Sequence, residues 1–354
     1  MNPSNQIAVI FGGDWGEREV SISSARAVIE WLLEAKYDPI PVLWDAGGWY
    51  IYSTPDVEDP GELSDLELSD PITVLQSLSR DNVEVVFNCL HGGAGEDGTL
   101  AAILSLFRMA HTGAGVAGGA VSACKITFRQ RMRGIGLRVP TGAVVHQEVW
   151  GRHRKDVLAG VNREIHYPCI VKDPQGGSSE GVCDADDEDA LIEEIDKIFI
   201  NSQLALVEKM IVGREISVPC LGGRRGVLPQ ILQPVEIVLP PGERIFSNAL
   251  KYGDHVALCP AKLDPELWHD LAREVRQMHL ELQLGTASRT DLILDQGNNP
   301  VYLETNTVPG MTKDSLLPLS ASKSGIAGPD LVRKMVEIAV QDHLVRHSGA
   351  ASAS

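Results

Sequence analysis

The sequence is short of positive charge: 31 Lys and Arg stand against 48 Asp and Glu, a formal net charge of −17. That balance argues against nucleic acid as a partner, because the phosphate backbone repels an acidic surface. An anionic small ligand can still bind through a local cluster of cations and amides. Six cysteines are scattered with no CxxC pair and no small disulfide framework, so reduced core thiols are expected and structural zinc is not. No stretch approaches the ~20 apolar residues of a membrane span, so no membrane contact is expected. The short apolar run at residues 7–11 lacks a basic lead and a cleavage signature, and reads as a first strand. A cytoplasmic protein is the expectation. Gly12-Gly13 after that strand is not a GxGxxG, and the Gly/Ser turn near residue 178 lacks the GxxxxGK[ST] spacing. No internal repeats occur.

What is present suits a large soluble chain. Its 354 residues are 44% hydrophobic and 22% charged, enough for two or three domains. Strand 7–11, a glycine turn and a helix over 23–35 open an α/β unit, with 14–21 as the loop between them. Strands follow at 39–43 and 83–90, around a stretch at 49–71 that reads as an irregular insertion. Ligands in open α/β sheets bind beyond the carboxyl ends of strands, and Glu17 and His91 each follow such an end. His91 also fits a capping or core-satisfied residue. Residues 112–119 read as a flexible join beside a domain boundary, and 120–134 as one helix carrying Lys125. Lys172 ends a strand over 167–172. The Gly177-Ser178-Ser179 turn after it offers backbone N–H groups for phosphate oxygens, or is a plain flexible turn.

The stretch 301–312 organises the chain. Its first half alternates as a half-buried strand does. Tyr302, Glu304 and Asn306 take one face, and Val301, Leu303 and Thr305 the other. Glu304 and Asn306 are then about 7 Å apart, a spacing that suits oxygen ligands of a hard cation such as Mg²⁺. An earlier strand over 290–294 puts Arg289 and Asp291 on one face, so Asp291 joins the pair across a hairpin. Pro309-Gly310 breaks the strand and lets a bound group approach the backbone.

The motifs Gly16 to Ser21, His91 to Thr99, Thr112 to Val116, Gly177-Ser178-Ser179, Lys251-Tyr252 and Glu304 to Thr312 occur in this order. With them the chain resembles the D-alanine–D-alanine ligases of the ATP-grasp superfamily, from Phe11 to about Val340. The resemblance implies an α/β and α+β multidomain chain: an ATP-grasp fold with an N-terminal open parallel α/β domain. The corresponding limits are 1–116, 117–210 and 211–347, with 348–354 a disordered tail. ATP and D-alanine are the implied small-molecule partners, and a homodimer the implied assembly.

By the same resemblance Lys125, Lys172 and Ser179 meet the ATP phosphates. Glu208, Lys209 and Ile211 hold the adenine, and Glu215 the ribose. Asp291, Glu304 and Asn306 bind two Mg²⁺ ions, for which Mn²⁺ can substitute. Glu17 pairs with the ammonium of the first D-alanine, and Arg289 and the Gly310 N–H face the oxyanion. Ser315 and the Leu316 N–H take the second carboxylate. His91 and Lys251 line the substrate site, and Ser178 and Tyr252 are linked in a lid. Tyr at 252 goes with D-alanine as acceptor, and Phe there with D-lactate. The chain departs from the usual pattern at His111, Cys124, Asp173, Glu180 and 246–250. Two alternatives follow: a related ligase acting on a different amino or hydroxy acid, and a non-catalytic ATP-binding regulator.

Overall fold

The computed structural model describes residues 5–52, 68–176, 181–223, 226–240, 242–245 and 256–348. Three sheets follow one another along the chain. The first has six strands in the order Leu68–Ser69, Gly48–Ile51, Asp38–Asp45, Gln6–Gly12, Val85–Asn88, Ala110–His111. The last four are parallel, and the first two add an antiparallel edge. The expected irregular insertion therefore contains sheet: Trp49 is fully buried and anchors the edge strand.

Strand Gln6–Gly12 is apolar at every buried position because helices cover both faces of its sheet. Ile7, Val9 and Phe11 face helix Arg18–Glu34 through Val28 and Leu32. Ala8 and Ile10 face Val74, Leu75 and Leu104 on the other side. The final helix, Gly328–Ser348, returns to this first core through Leu331, Val332, Met335 and Val336. Of the expected tail 348–354, only Ser348 lies within the described residues.

The second sheet is a four-stranded antiparallel one: Gly142–His146, Leu204–Lys209, Cys169–Lys172, Val182–Ala185. Helices Gln147–Glu164 and Glu188–Ile198 cover one face of it. Asp187 caps the second of these by accepting from the Ala190 N–H at 2.9 Å. The third sheet is also antiparallel, in the order Val256–Leu258, Val235–Val238, Gly213–Leu221, Ala287–Asp295, Pro300–Asn306. Helices Lys125–Gly134 and Pro265–Leu282 supply its core, with Phe128, Met132, Leu271 and Val275 buried.

Three local expectations change. Helix Arg18–Glu34 starts inside the expected 14–21 loop and makes Glu17 its N-cap residue. Ser21, now helical, accepts from the Gly12 N–H and donates to the Cys89 carbonyl, tying two strand ends together. The 112–119 join is packed, with helix Val116–Ala123 beginning inside it. A Cβ at Gly119 would fall 2.7 Å from the Glu96 carbonyl, so this glycine permits close packing. The expected helix 120–134 is two helices, broken where Cys124 takes an extended conformation. That break makes Lys125 the first residue of its helix, and its N–H donates to the Pro174 carbonyl at 2.8 Å.

Candidate active site

The hairpin of Ala287–Asp295 and Pro300–Asn306 carries the acidic centre. Arg289 pairs with Asn306 and Asp291 with Glu304. The register then slips between Asp291 and Leu292, so that Leu292 pairs with Tyr302 and Leu303 is the extra residue. This bulge overturns the simple alternation. Tyr302 turns into the third core, where its hydroxyl donates to Glu274 at 2.6 Å. Leu303 and Glu304 instead both line the cleft. The acids keep the face expected of them: Asp291 and Glu304 lie side by side across the hairpin.

The oxygens here fit a hard divalent cation by type. Two carboxylates lie side by side, and the Asn306 amide is two residues beyond Glu304 on the same strand. Among the described residues, no three His, Cys, Asp or Glu gather as a metal cluster. Asn306 Oδ1 accepts from the Val308 N–H at 2.8 Å. Asp291 accepts from Ser217 and from Arg289, whose Nη2 is 2.8 Å away. Lys125 Nζ lies 3.2 Å from Glu304 Oε2.

A cleft of about 810 Å³ opens between the second and third sheets. Lys125, Lys172, Glu208, Lys209, Ile211 and Glu215 line it together with Asp291 and Glu304. Ile170, Val182, Ile293 and Leu303 make its apolar walls. The residues expected at the nucleotide therefore share one cavity, except Ser179. Ser178, Ser179, Lys251 and Tyr252 lie outside the described residues, as do Glu180 and 246–250.

Within the cleft Lys172 Nζ is 2.7 Å from Glu208 Oε2. Arg129 Nε lies 3.1 Å from the other oxygen, Oε1. Arg129 was not singled out from the sequence. Its signal was available: it is four residues after Lys125 on one helix, so both side chains share a face. Asp173, one of the departures, is folded into a turn in which it accepts from the Gln175 N–H at 2.9 Å. Arg244 spans from the third sheet's loop to Asp184 and Asp186 beside the second sheet.

On the other side of the hairpin lies a largely buried cluster around His91. His91 Nδ1–H donates to the Val308 carbonyl at 2.9 Å, and its Nε2 accepts from the Ser24 hydroxyl at 2.8 Å. Ser24 Oγ accepts in turn from the Met311 N–H. The ring thus links helix Arg18–Glu34, through Nε2, to the turn after Asn306, through Nδ1. Burial holds the His91 pKa below its usual value, although Glu17 pulls it upward. Glu96, also not singled out, has its pKa pushed up to about 8, first by burial and then by the Glu17 charge. Burial opposes the charge of Arg289, but Asp291 and Glu304 outweigh it and raise its pKa.

Gly92 has φ of +66°, and a Cβ there would collide with Glu17 Oε2. The missing side chain leaves room for the Glu17 carboxylate. Ser315 is the N-cap residue of helix Leu316–Lys323 but makes no side-chain cap. Its hydroxyl is 2.7 Å from Thr312 Oγ1 instead and accepts from the Thr312 N–H at 3.2 Å. Gly310 packs against the same hydroxyl.

Two family models match the chain. D-ala D-ala ligase N-terminus covers residues 6–114, and D-ala D-ala ligase C-terminus covers 132–337. The chain is 33% identical to the D-alanine–D-alanine ligase of Geobacter sulfurreducens, over 94% of this chain and 93% of that protein. It is 31% identical to that of Actinobacillus succinogenes, over 95% and 98%. Among solved structures, the Coxiella burnetii D-alanine-D-alanine ligase superposes with a TM-score of 0.82 at 23% identity, covering 99% of this chain and 100% of that one.

Proposed function

The chain belongs to the D-alanine–D-alanine ligase family, and we infer that it joins two D-alanine molecules with ATP, supplying the dipeptide for peptidoglycan precursors. One observation carries the reading. Lys125, Lys172, Glu208, Lys209, Ile211 and Glu215 line one cleft together with Asp291 and Glu304 of the hairpin.

In this reading the carboxylate of the first D-alanine attacks the γ-phosphorus of ATP, and ADP leaves. The D-alanyl phosphate formed is the electrophile that a carboxylate alone is not. The free amine of the second D-alanine attacks its carbonyl, and phosphate leaves with the bonding pair. Lys125 and Lys172 hold phosphate oxygens, the 208–211 segment holds the adenine and Glu215 the ribose. Asp291, Glu304 and Asn306 would hold Mg²⁺, which would supply charge neutralisation at the triphosphate. Arg289 and the Gly310 N–H stabilise the tetrahedral oxyanion, where one donor is worth about 10²–10³ in rate. Glu17 pairs with the first ammonium. Ser315 and the Leu316 N–H bind the second carboxylate, which the uncapped helix start supports. Ser178, Tyr252 and Lys251 would close the site against water, which hydrolyses an acyl phosphate. His91 has both nitrogens bonded within the protein, which supports a framing role at the substrate pocket. A cytoplasmic location and a homodimer belong to the same proposal. Among the described residues no helix is long and apolar enough to cross a membrane.

The test is ADP release with Mg²⁺-ATP and D-alanine, with the product identified by mass. D-alanyl-D-alanine formed together with ADP is the expected result. Turnover only with D-serine, D-lactate or another acid would replace the acceptor. ATP binding without turnover across that panel would favour a regulator.

A further inference from the structure

Glu208 is only 3% exposed, and each of its carboxylate oxygens faces its own cation. Lys172 reaches one from the strand Cys169–Lys172, and Arg129 reaches the other from the helix Lys125–Gly134. Arg129 is itself 4% exposed, and its Nη2 donates to the Pro140 carbonyl at 2.6 Å. Glu208 pairs in the sheet with Gly142, where a Cβ would lie 3.0 Å from the guanidinium. The missing side chain at 142 is therefore part of the guanidinium's slot. Lys172 and Glu208 line the cleft, whereas Arg129 does not.

The charge count matters more than any single contact. Two cations share one carboxylate, so the group carries one net positive charge, and its cleft-facing member is Lys172. Without Arg129, Glu208 would neutralise Lys172 alone, and the phosphate side of the cleft would lose that charge. Charge interactions inside a protein are strong enough for one unit of charge behind the cleft to alter anion affinity.

We propose that Arg129 is a positioning residue for nucleotide binding: it holds Glu208 from behind so that Lys172 keeps its charge for the phosphates. The inference rests on the ATP reading above. Arg129 never touches nucleotide; it acts through Glu208.

The experiment is a double-substitution cycle on the full chain, with Mg²⁺-ATP affinity measured by calorimetry and steady-state kinetics run beside it. Arg129→Met weakens ATP binding about 10-fold in the wild-type background, a change of about 1.4 kcal/mol. In a Glu208→Gln background the same substitution costs less than about twofold, because no carboxylate is left to claim Lys172. The Arg129→Met KM for ATP rises, and its KM for D-alanine stays within about twofold. An equal loss in both backgrounds, or an equal rise in both KM values, would overturn the proposal in favour of simple packing. If Arg129→Met does not fold, Arg129→Lys keeps the charge. ATP affinity within about threefold of wild type then supports the proposal, and a tenfold loss overturns it. Absence of ATP binding by the wild-type chain would sink the nucleotide reading itself, a result distinct from all of these.

Discussion

The two sides of the hairpin treat charge in opposite ways. Around His91, burial works against ionisation: the imidazole pKa is pushed down and the Glu96 carboxyl is pushed up to about 8. Hydrogen bonds there run mainly to backbone, as in the Ser24–His91–Val308 chain. Around Glu208 the ionisable groups are equally buried but are matched with opposite charges at 2.7 and 3.1 Å. A pocket for a small zwitterion works with few, fixed charges, since each unpaired buried ion is expensive. A cleft for a polyanion needs surplus positive charge, and a shared carboxylate is one way to keep cations buried and ordered. Arg289 belongs to both sides. It is paired with Asp291 and also feels Glu96 and Glu304.

The largest expected effect falls on the boundary between the two regions. Glu304→Gln or Asn306→Ala should lower turnover by more than about 10³-fold with the circular dichroism spectrum unchanged. Wild-type-like rates in either variant would remove the metal assignment. Next comes a selective effect on the His91 side. His91→Gln loses the paired contacts to Ser24 and Val308, so kcat/KM for D-alanine should fall about 10-fold while ATP affinity stays within about twofold. Equal loss of both would break the division between the sides.

The smallest effect is on stability. Glu96 has a folded pKa raised from the ordinary carboxyl value of 4.5 to about 8. Its contribution is therefore fully present below about pH 4.5 and is lost as pH rises through about 8. Thermal melts should show wild type losing a few degrees more than Glu96→Gln between pH 5 and pH 8. Parallel curves would mean that Glu96 is ionised in the folded protein, and the His91 side would then suppress charge no more than the cleft does.

Much of this was legible in the residues. The apolar run at 7–11, the acids at 291 and 304 and the turn at Pro309-Gly310 announce a parallel-sheet opening and an acidic hairpin from local pattern alone. The motifs around His91 and Glu304 also identify the family, which the family models bear out. Other features were hidden because they depend on partners remote in sequence. The Leu303 bulge, which turns Tyr302 toward Glu274, breaks the period of two that alternation assumes. Cys124 interrupts a stretch whose composition reads as one helix, and Gly118 and Gly119 serve close backbone contact rather than flexibility. The Arg129–Glu208–Lys172 group joins a helix to two strands, and the His91–Val308 bond joins residues 217 positions apart. Local periodicity and backbone preference act within a few residues, so the sequence by itself determined the elements and the chemical types at the site. Desolvation and charge pairing act only between groups that folding has brought together, so the tertiary structure alone decided which charges survive there and which are suppressed.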